Sequence, residues 1–400
     1  SDDIIEIKCD ENAPLSAYVF KTIADPFVGK MSMIRVMSGK LSSNSDVMNS
    51  QIGTTEKIGK LYKLCGKKQT EVSSASAGEI VVASKITANT GATLCDASKV
   101  IKFPEMEFPR PCYSMAVKAK AQGDEAKIST SIQRLTEEDP TLTYVQDDST
   151  KEQILSGLGE QHLEVAAAKL KGKFGVDIVL SVPKIAYKET IRKKVKVEGK
   201  HKKQSGGHGQ FGDVWIEFEP SDSNELVFEE KVFGGAVPKN FFPAVEKGLR
   251  DSTAKGVLAG YPMVGIKATL VDGSYHPVDS SEMAFKTAAS IAFKDGIPQA
   301  GPVLMEPIGT LKVLVPDDVL GDVIGDINRR RGRIIGMNPT ANKMQEVVGE
   351  VPIAEMSDFA TSMRSITQGT ATFTLDFERY EDVPPQIAQK IIAESKVEQD

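Results

Sequence analysis

Tyr113-Ser-Met-Ala-Val-Lys118, followed by residues 123–137 with Ile128, Ile132 and Leu135 on one face, decides the architecture of the middle of the chain. The first piece reads as a strand, and the second has the 3.6-residue period of an amphipathic helix. Leu142-Thr-Tyr-Val145 and Gln153-Ile-Leu-Ser156 read as two more strands. Leu163-Glu-Val-Ala-Ala-Ala-Lys-Leu170 reads as a second helix and Val176-Asp-Ile-Val-Leu180 as a last strand. The order over residues 111–184 is therefore βαββαβ, a split βαβ sandwich. It recurs over residues 309–380. There, Leu311-Lys-Val-Leu-Val315 leads into a helix at 319–330 with Val319, Leu320, Val323, Ile324 and Ile327 in one apolar stripe. Strands near Ile334 and Val347, a helix over 359–366 and Ala371-Thr-Phe-Thr-Leu-Asp-Phe377 complete the repeat.

Upstream, residues 1–104 hold short Val-, Ile- and Thr-rich runs such as Ala17-Tyr-Val-Phe-Lys-Thr-Ile23 and Met33-Ile-Arg-Val-Met37. They are punctuated at Asp25-Pro26, Ser38-Gly39, Gly53, Gly78 and Asn89. This pattern predicts a small β-barrel, followed by an extended Pro-bearing linker near 104–111. Residues 185–308 read as an α+β unit with strands at 213–219 and 264–270. One of its helices follows Pro238, and another opens with a box-like Asp279-Ser-Ser-Glu282. A short amphipathic helix in 381–395 is expected to dock back on this unit. The expected fold class is thus multidomain α+β: a β-barrel (1–104), two ferredoxin-like βαββαβ sandwiches (111–184 and 309–380), and an α+β tip domain (185–308 plus 381–395). Further linkers fall near 183–186 and 308–310.

Composition sets limits. The 400 residues are 40% hydrophobic, enough for several cores, and 49 basic side chains face 55 acidic ones. A slightly acidic chain is no general polyanion binder, so any nucleic-acid contact rests on local patches. Cys9, Cys65, Cys95 and Cys112 show no CxxC spacing, which argues against zinc or a disulfide framework and fits a reducing cytoplasm. No apolar run reaches membrane-spanning length. The chain opens Ser1-Asp2-Asp3 without an initiator Met and is read as part of something longer.

Two loops stand out. His201-Lys-Lys-Gln-Ser-Gly-Gly-His-Gly-Gln-Phe-Gly-Asp213 combines basic residues with Gly206, Gly207, Gly209 and Gly212, so its backbone can pass close to another surface. Asp272-Gly-Ser-Tyr-His-Pro-Val-Asp-Ser-Ser-Glu282 sets His276 on a turn before a helix. Neither holds a nucleophile–base pair. The basic run Arg192-Lys-Lys-Val-Lys196 with Lys200, Lys202 and Lys203 reads either as a solvated strand face or as a phosphate-contacting surface. Asn328-Arg-Arg-Arg-Gly-Arg333 complements a negative helix end, and its four guanidiniums (Arg329, Arg330, Arg331, Arg333) exceed that need. Glu160, His162 and Glu164 lack a convergent second cluster for metal binding. No catalytic residue and no metal ligand is assigned.

Several motifs together are similar to translation elongation factor G: Asp25-Pro-Phe-Val-Gly29, Gly159-Glu-Gln-His-Leu-Glu164, Gln204-Ser-Gly-Gly207, Gly273-Ser-Tyr-His276, Asp279-Ser-Ser-Glu-Met-Ala-Phe-Lys286, and Gly321-Asp-Val-Ile-Gly-Asp326 with Arg330-Arg-Gly332. The resemblance covers nearly the whole chain and starts after that family's GTP-binding domain. It implies a ribosome-binding segment of a GTPase that moves transfer RNA and messenger RNA. Lys202, Lys203, Gln204, Ser205, Gly206, Gly207, His208, Ser274, Tyr275 and His276 would face RNA in the decoding centre. The arginines at 329–333 would face the large subunit, and Glu160 and His162 would lie against the GTPase domain. The implied partners are both ribosomal subunits, ribosomal, transfer and messenger RNA, and the parent's own GTPase domain, with a monomeric, cytoplasmic protein and no membrane.

Departures bear on which branch of the family this is. His208 stands where the family usually has Arg, Phe211 where it has Tyr, Asp213 where it often has His, and Gln161 within its Gly-Glu-Leu-His pattern. These resemble a second, paralogous branch. No GxxxxGK[ST] or Asn-Lys-x-Asp motif is present, so GTP and Mg²⁺ are expected only in the parent's GTPase domain, and none in this segment. The rivals are a recycling or ribosome-protection paralogue and a stand-alone RNA-binding protein.

Overall fold

The computed structural model describes residues 4–66, 68–121, 123–204, 209–340 and 343–397. The chain divides into two compact units, Ser1–Lys184 with Ser357–Thr374, and Ile185–Met356 with Leu375–Asp400. No helix among the described residues is long and apolar enough to cross a membrane.

The first unit opens with an antiparallel sheet of eight strands, centred on the hairpin Ser16–Asp25/Gly29–Ser38. Val19 and Ile34 face its core; a β-bulge between Val19 and Lys21 shifts the alternation so that Thr22 and Ala24 are buried beyond it. Among the described residues the sheet does not close into the expected β-barrel. Its end strands, Thr54–Lys57 and Lys68–Val72, do not pair with each other, and a separate ribbon, Lys40–Ser42/Ser74–Ser76, supplies Leu41 and Ala75 to the same core. Closure requires long-range edge pairing that strand periodicity does not specify.

The next elements follow the expected order: strand Tyr113–Ala119, helix Glu125–Glu138, strands Thr143–Gln146 and Gln153–Gly157, helix Glu160–Lys169 and strand Ile178–Ser181. Their antiparallel sheet runs Thr143–Gln146, Gln153–Gly157, Tyr113–Ala119, Ile178–Ser181. Ile128, Ile132 and Leu135 all enter its core with Leu155, Leu163 and Leu170. The second helix widens into a π turn, Leu170–Phe174, and stops at Gly175 with φ 64°. Glu138 ties this layer to the first sheet, accepting from the Ala24 N–H at 3.0 Å and from Lys173 at 2.7 Å. Burial raises its carboxyl, but those two hydrogen bonds together with the charges of Lys173 and Lys169 outweigh it and leave the group below its ordinary value.

In the second unit a four-stranded sheet runs Val195–Lys203, Gln210–Pro220, Ile266–Ser274, Val227–Glu230. The helices Phe242–Thr253 and Glu282–Gly296 share its core through Val245, Leu249, Phe285, Ala288, Ala289 and Ala292. The second helix lies unusually close to the hairpin. A Cβ on Gly212 would stand 2.6 Å from the Ala284 carbonyl oxygen, and one on Gly199 would strike the Ala288 carbonyl. Ala284, Ala288 and Ala292 recur every four residues on that face, so small side chains on both elements permit the approach. Gly212 therefore yields to the chain's own helix. Nearby, the fully buried Glu189 accepts backbone N–H bonds from Leu258, Ala259 and Tyr261, which fixes that loop.

The second sheet of this unit runs Lys188–Ile191, Pro302–Pro316, Met344–Pro352, Arg333–Pro339, with Thr372–Asp382 pairing Pro302–Pro316. The expected linker near 308–310 is absent, because one strand runs unbroken from Pro302 to Pro316. Gly309 marks close packing there, with Leu375 Cδ1 2.6 Å from where a Cβ would be. On the final helix, Pro385–Val397, the residues Ile387, Ile391 and Ile392 are half-buried.

Gly212→Ala is expected to destabilise this unit by about 1–3 kcal/mol through overpacking. Gly325→Ala, in a helix with nothing within 4 Å of the added methyl, is expected to stabilise it by roughly 0.5–1 kcal/mol. Urea denaturation of the two variants checks the opposite signs.

Candidate functional site

Both loops singled out above lie at one end of the sheet formed by Val195–Lys203, Gln210–Pro220 and Ile266–Ser274. The hairpin pairs in register up to Lys203 with Gln210, and Ser274, the last residue of the third strand, pairs Asp213. Ser205, Gly206, Gly207 and His208 lie outside the described residues.

The loops are bonded to each other. Asp279 Oδ1 accepts from the Gly209 N–H at 3.0 Å, its carbonyl accepts from the Phe211 N–H at 2.8 Å, and Ser280 Oγ donates to the Phe211 carbonyl at 2.9 Å. The box expected from Asp279 to Glu282 is not the helix cap. Ser281 is the N-cap, accepting from the Ala284 N–H at 3.2 Å, which leaves the Asp279 carboxylate available to the hairpin.

His276 is held by its own loop. Its N–H donates to Ser280 Oγ at 2.9 Å, and its Nδ1 accepts from the N–H groups of Asp279 (3.1 Å) and Val278 (3.3 Å). Asp279 Oδ2 also lies 3.3 Å from this Nδ1, but with two N–H groups donating to it the ring proton is assigned to Nε2, and the half-exposed imidazole offers a donor held by its loop. Tyr275 beside it is exposed. Ser274 is not a free contact: its hydroxyl donates to the buried Asp213 carboxylate at 2.5 Å.

Cross-strand acids change the charge count of the basic run. Lys194 pairs with Glu217 and Glu219, Lys200 lies 3.6 Å from Asp213, and Arg192 pairs with Asp382. Lys202 and Lys203 are exposed and have no ion pair among the described residues; Gln204 is exposed next to them. Lys193 and Lys196, lower on the strand, are likewise exposed without an ion pair among the described residues, so the tip lysines are the end of a longer basic face.

A third loop, which the sequence reading passed over, reaches the same end. Val227–Glu230 runs parallel to Ile266–Ser274, the Lys231 N–H continues the ladder to the Leu270 carbonyl, and Val237 packs where a Cβ on Gly273 would sit. Between these anchors Phe233 is 93% exposed, before Gly234 and Gly235 at φ 68° and 74°. The Gly-Gly doublet was the available signal.

The arginine cluster is built differently from the expected RNA surface. The helix Leu320–Arg329 ends in a Schellman turn, the Gly332 N–H reaching the Ile327 carbonyl and the Arg331 N–H that of Asn328. Arg331 occupies the left-handed position at φ 61° and binds Glu306 through two hydrogen bonds (2.7 and 2.8 Å) and Glu355 through one. Arg330 is buried against Asp326 and the Glu355 carbonyl, so its assignment to a surface contact is corrected. Arg329 and Arg333 are exposed, paired with Asp326 and Glu350.

In the first unit, His162 Nδ1 accepts from the Leu158 N–H at 3.1 Å and Nε2 donates to Asp139 Oδ2 at 2.9 Å, while Glu160 is exposed in the first helical turn. At the Asp25 hairpin, Oδ1 accepts from the Phe27 and Val28 N–H groups, both at 2.8 Å. No group of three or more His, Cys, Asp or Glu among the described residues is arranged to hold a metal ion.

Four family models match consecutive stretches: elongation factor G domain 2 over 14–97, domain III over 108–182, domain IV over 183–301 and the elongation factor G C-terminus over 303–391. The crystal structure of ttk003000868 from Thermus thermophilus is 40% identical, with a TM-score of 0.80. The match covers 96% of this chain and 58% of that one.

The arginine-rich turn carries a pH dependence. Paired hydrogen bonds from Arg379 (2.7 and 2.8 Å) and another from Arg333 hold the Glu350 carboxyl down to about 2, from 4.5. A depressed carboxyl stabilises the fold above its unfolded value and loses that contribution as pH falls through the folded one. Glu350→Gln should therefore lower the melting temperature at neutral pH and lose less on acidification from pH 4.5 to about 2 than the parent. Parallel acid melts check this.

Proposed function

The chain belongs to the elongation factor G family, and from that premise we propose that it is the ribosome-engaging part of a translational GTPase that drives transfer RNA and messenger RNA along the ribosome. The observation that carries this reading is the tip. A hairpin and a loop are locked together through Asp279, with Lys202 and Lys203 uncompensated among the described residues and the His276 donor beside them.

Lysines at such an edge attract phosphates and position the protein without reading sequence. A pre-bonded loop loses little further freedom on contact, so His276 acts as a hydrogen-bonding wedge at the codon–anticodon region. GTP and Mg²⁺ bind in a GTPase domain joined to this chain, and hydrolysis there licenses rearrangement of residues 111–184. The tip then occupies the vacated RNA site and biases movement one way. Residues 1–104 serve as the open β-sheet domain, 111–184 and 309–380 as ferredoxin-like sandwiches, and the helix Pro385–Val397 docks on the tip domain. Arg329 and Arg333 face the large subunit, and Glu160 lies toward the GTPase domain. The protein works as a cytoplasmic monomer.

Charge reversal at Lys202 and Lys203 should weaken ribosome binding and reduce the slope of log affinity against log salt by about two. Unchanged affinity and slope would remove both lysines from the contact set. His276→Ala should slow single-round messenger-RNA movement more than it weakens binding; equal losses would contradict the wedge.

A further inference from the structure

We propose that Phe233 makes a third contact at this tip, its ring stacking on an unpaired RNA base. The inference rests on the reading of the tip as an RNA-facing edge and adds a loop and a chemistry to it.

A phenylalanine 93% exposed gains nothing from the protein core. The segment that carries it is nonetheless anchored on both sides. The Lys231 N–H is bonded to the Leu270 carbonyl at 2.8 Å, and the buried Val237 packs against Gly273, immediately before Ser274, Tyr275 and His276. The turn between these anchors needs Gly234 and Gly235, because both adopt the left-handed conformation. Apart from their chain neighbours, neither glycine has an atom within 4 Å of where a Cβ would project. The exposed ring is thus followed by two residues without side chains, which leave the approach to this turn uncrowded.

Local chemistry favours a base over a protein side chain. A protein-docking site of this size needs contiguous apolar surface, whereas the residues after Phe233 are two glycines, and Val232 and Ala236 are half-buried. The same end of the sheet carries Lys202 and Lys203, exposed and without ion pairs among the described residues, and the exposed Tyr275. Aromatic faces among lysines are the usual composition of a surface for single-stranded nucleic acid, where every base offers a π-face regardless of sequence.

The test measures binding of the chain to ribosomes over a range of salt concentrations for the parent, Phe233→Ala, Phe233→Trp, Phe233→Leu and the Lys202/Lys203 charge reversal. Phe233→Ala should lower affinity about tenfold and leave the salt slope unchanged, since no charge is lost. Phe233→Trp should retain parental affinity, and Phe233→Leu should behave like the alanine variant. Leucine that restores binding as fully as tryptophan would overturn stacking in favour of an apolar protein pocket. Parental binding by Phe233→Ala, with the charge reversal still impaired, would overturn the third contact alone. Parental binding by every variant would overturn the RNA-facing tip, and the third contact with it.

Discussion

The close approach of the helix Glu282–Gly296 to the hairpin at Gly199 and Gly212 is the constraint on which the tip depends. Glycine weakens a strand interior, and two of them are tolerated here because Ala284, Ala288 and Ala292 can then lie against the strand backbone. That contact fixes where the helix begins. With Ser281 as the cap, Asp279 is left beside Gly209 and Phe211, and the loop bearing His276 is bonded to the hairpin. A packing constraint in the body of the domain is thereby converted into a defined arrangement at its end.

The chain's charges follow a similar logic. Most of the arginine-rich turn and the lower part of the basic strand are committed internally: Arg330 to Asp326, Arg331 to Glu306, Lys194 to Glu217. The buried pairs among them, those of Arg330 and Arg331, are poor evidence for stability and better evidence for a specified geometry. Arg331 shows this most clearly, since its left-handed backbone is disfavoured for a side-chain-bearing residue and is held by two carboxylates. At the end of the hairpin, Lys202 and Lys203 are exposed and have no ion pair among the described residues.

The βαββαβ stretch at 111–184 was legible because its helices and strands carry clean periodicities, and Ile128, Ile132 and Leu135 are buried as their spacing predicts. What escaped was long-range. Periodicity does not reveal that Pro302–Pro316 serves two neighbours at once, that the first sheet stays open, or that Glu217 and Asp213 lie across the ladder from the lysines. Local chemistry also misled where two caps competed, since Asp279 and Ser281 both suit a helix start and only packing selects between them. At the candidate site, the loops mark Lys202, Lys203, Tyr275 and His276, which are exposed, Ser274 is committed internally, and Phe233 leaves no periodic trace because it is an exposed aromatic.

The most direct measurement joins a GTP-binding domain to this chain and follows single-round messenger-RNA movement on ribosomes, with and without GTP. Movement that requires GTP is the predicted result. GTP hydrolysis or subunit splitting without movement would contradict the account and assign the same scaffold to recycling.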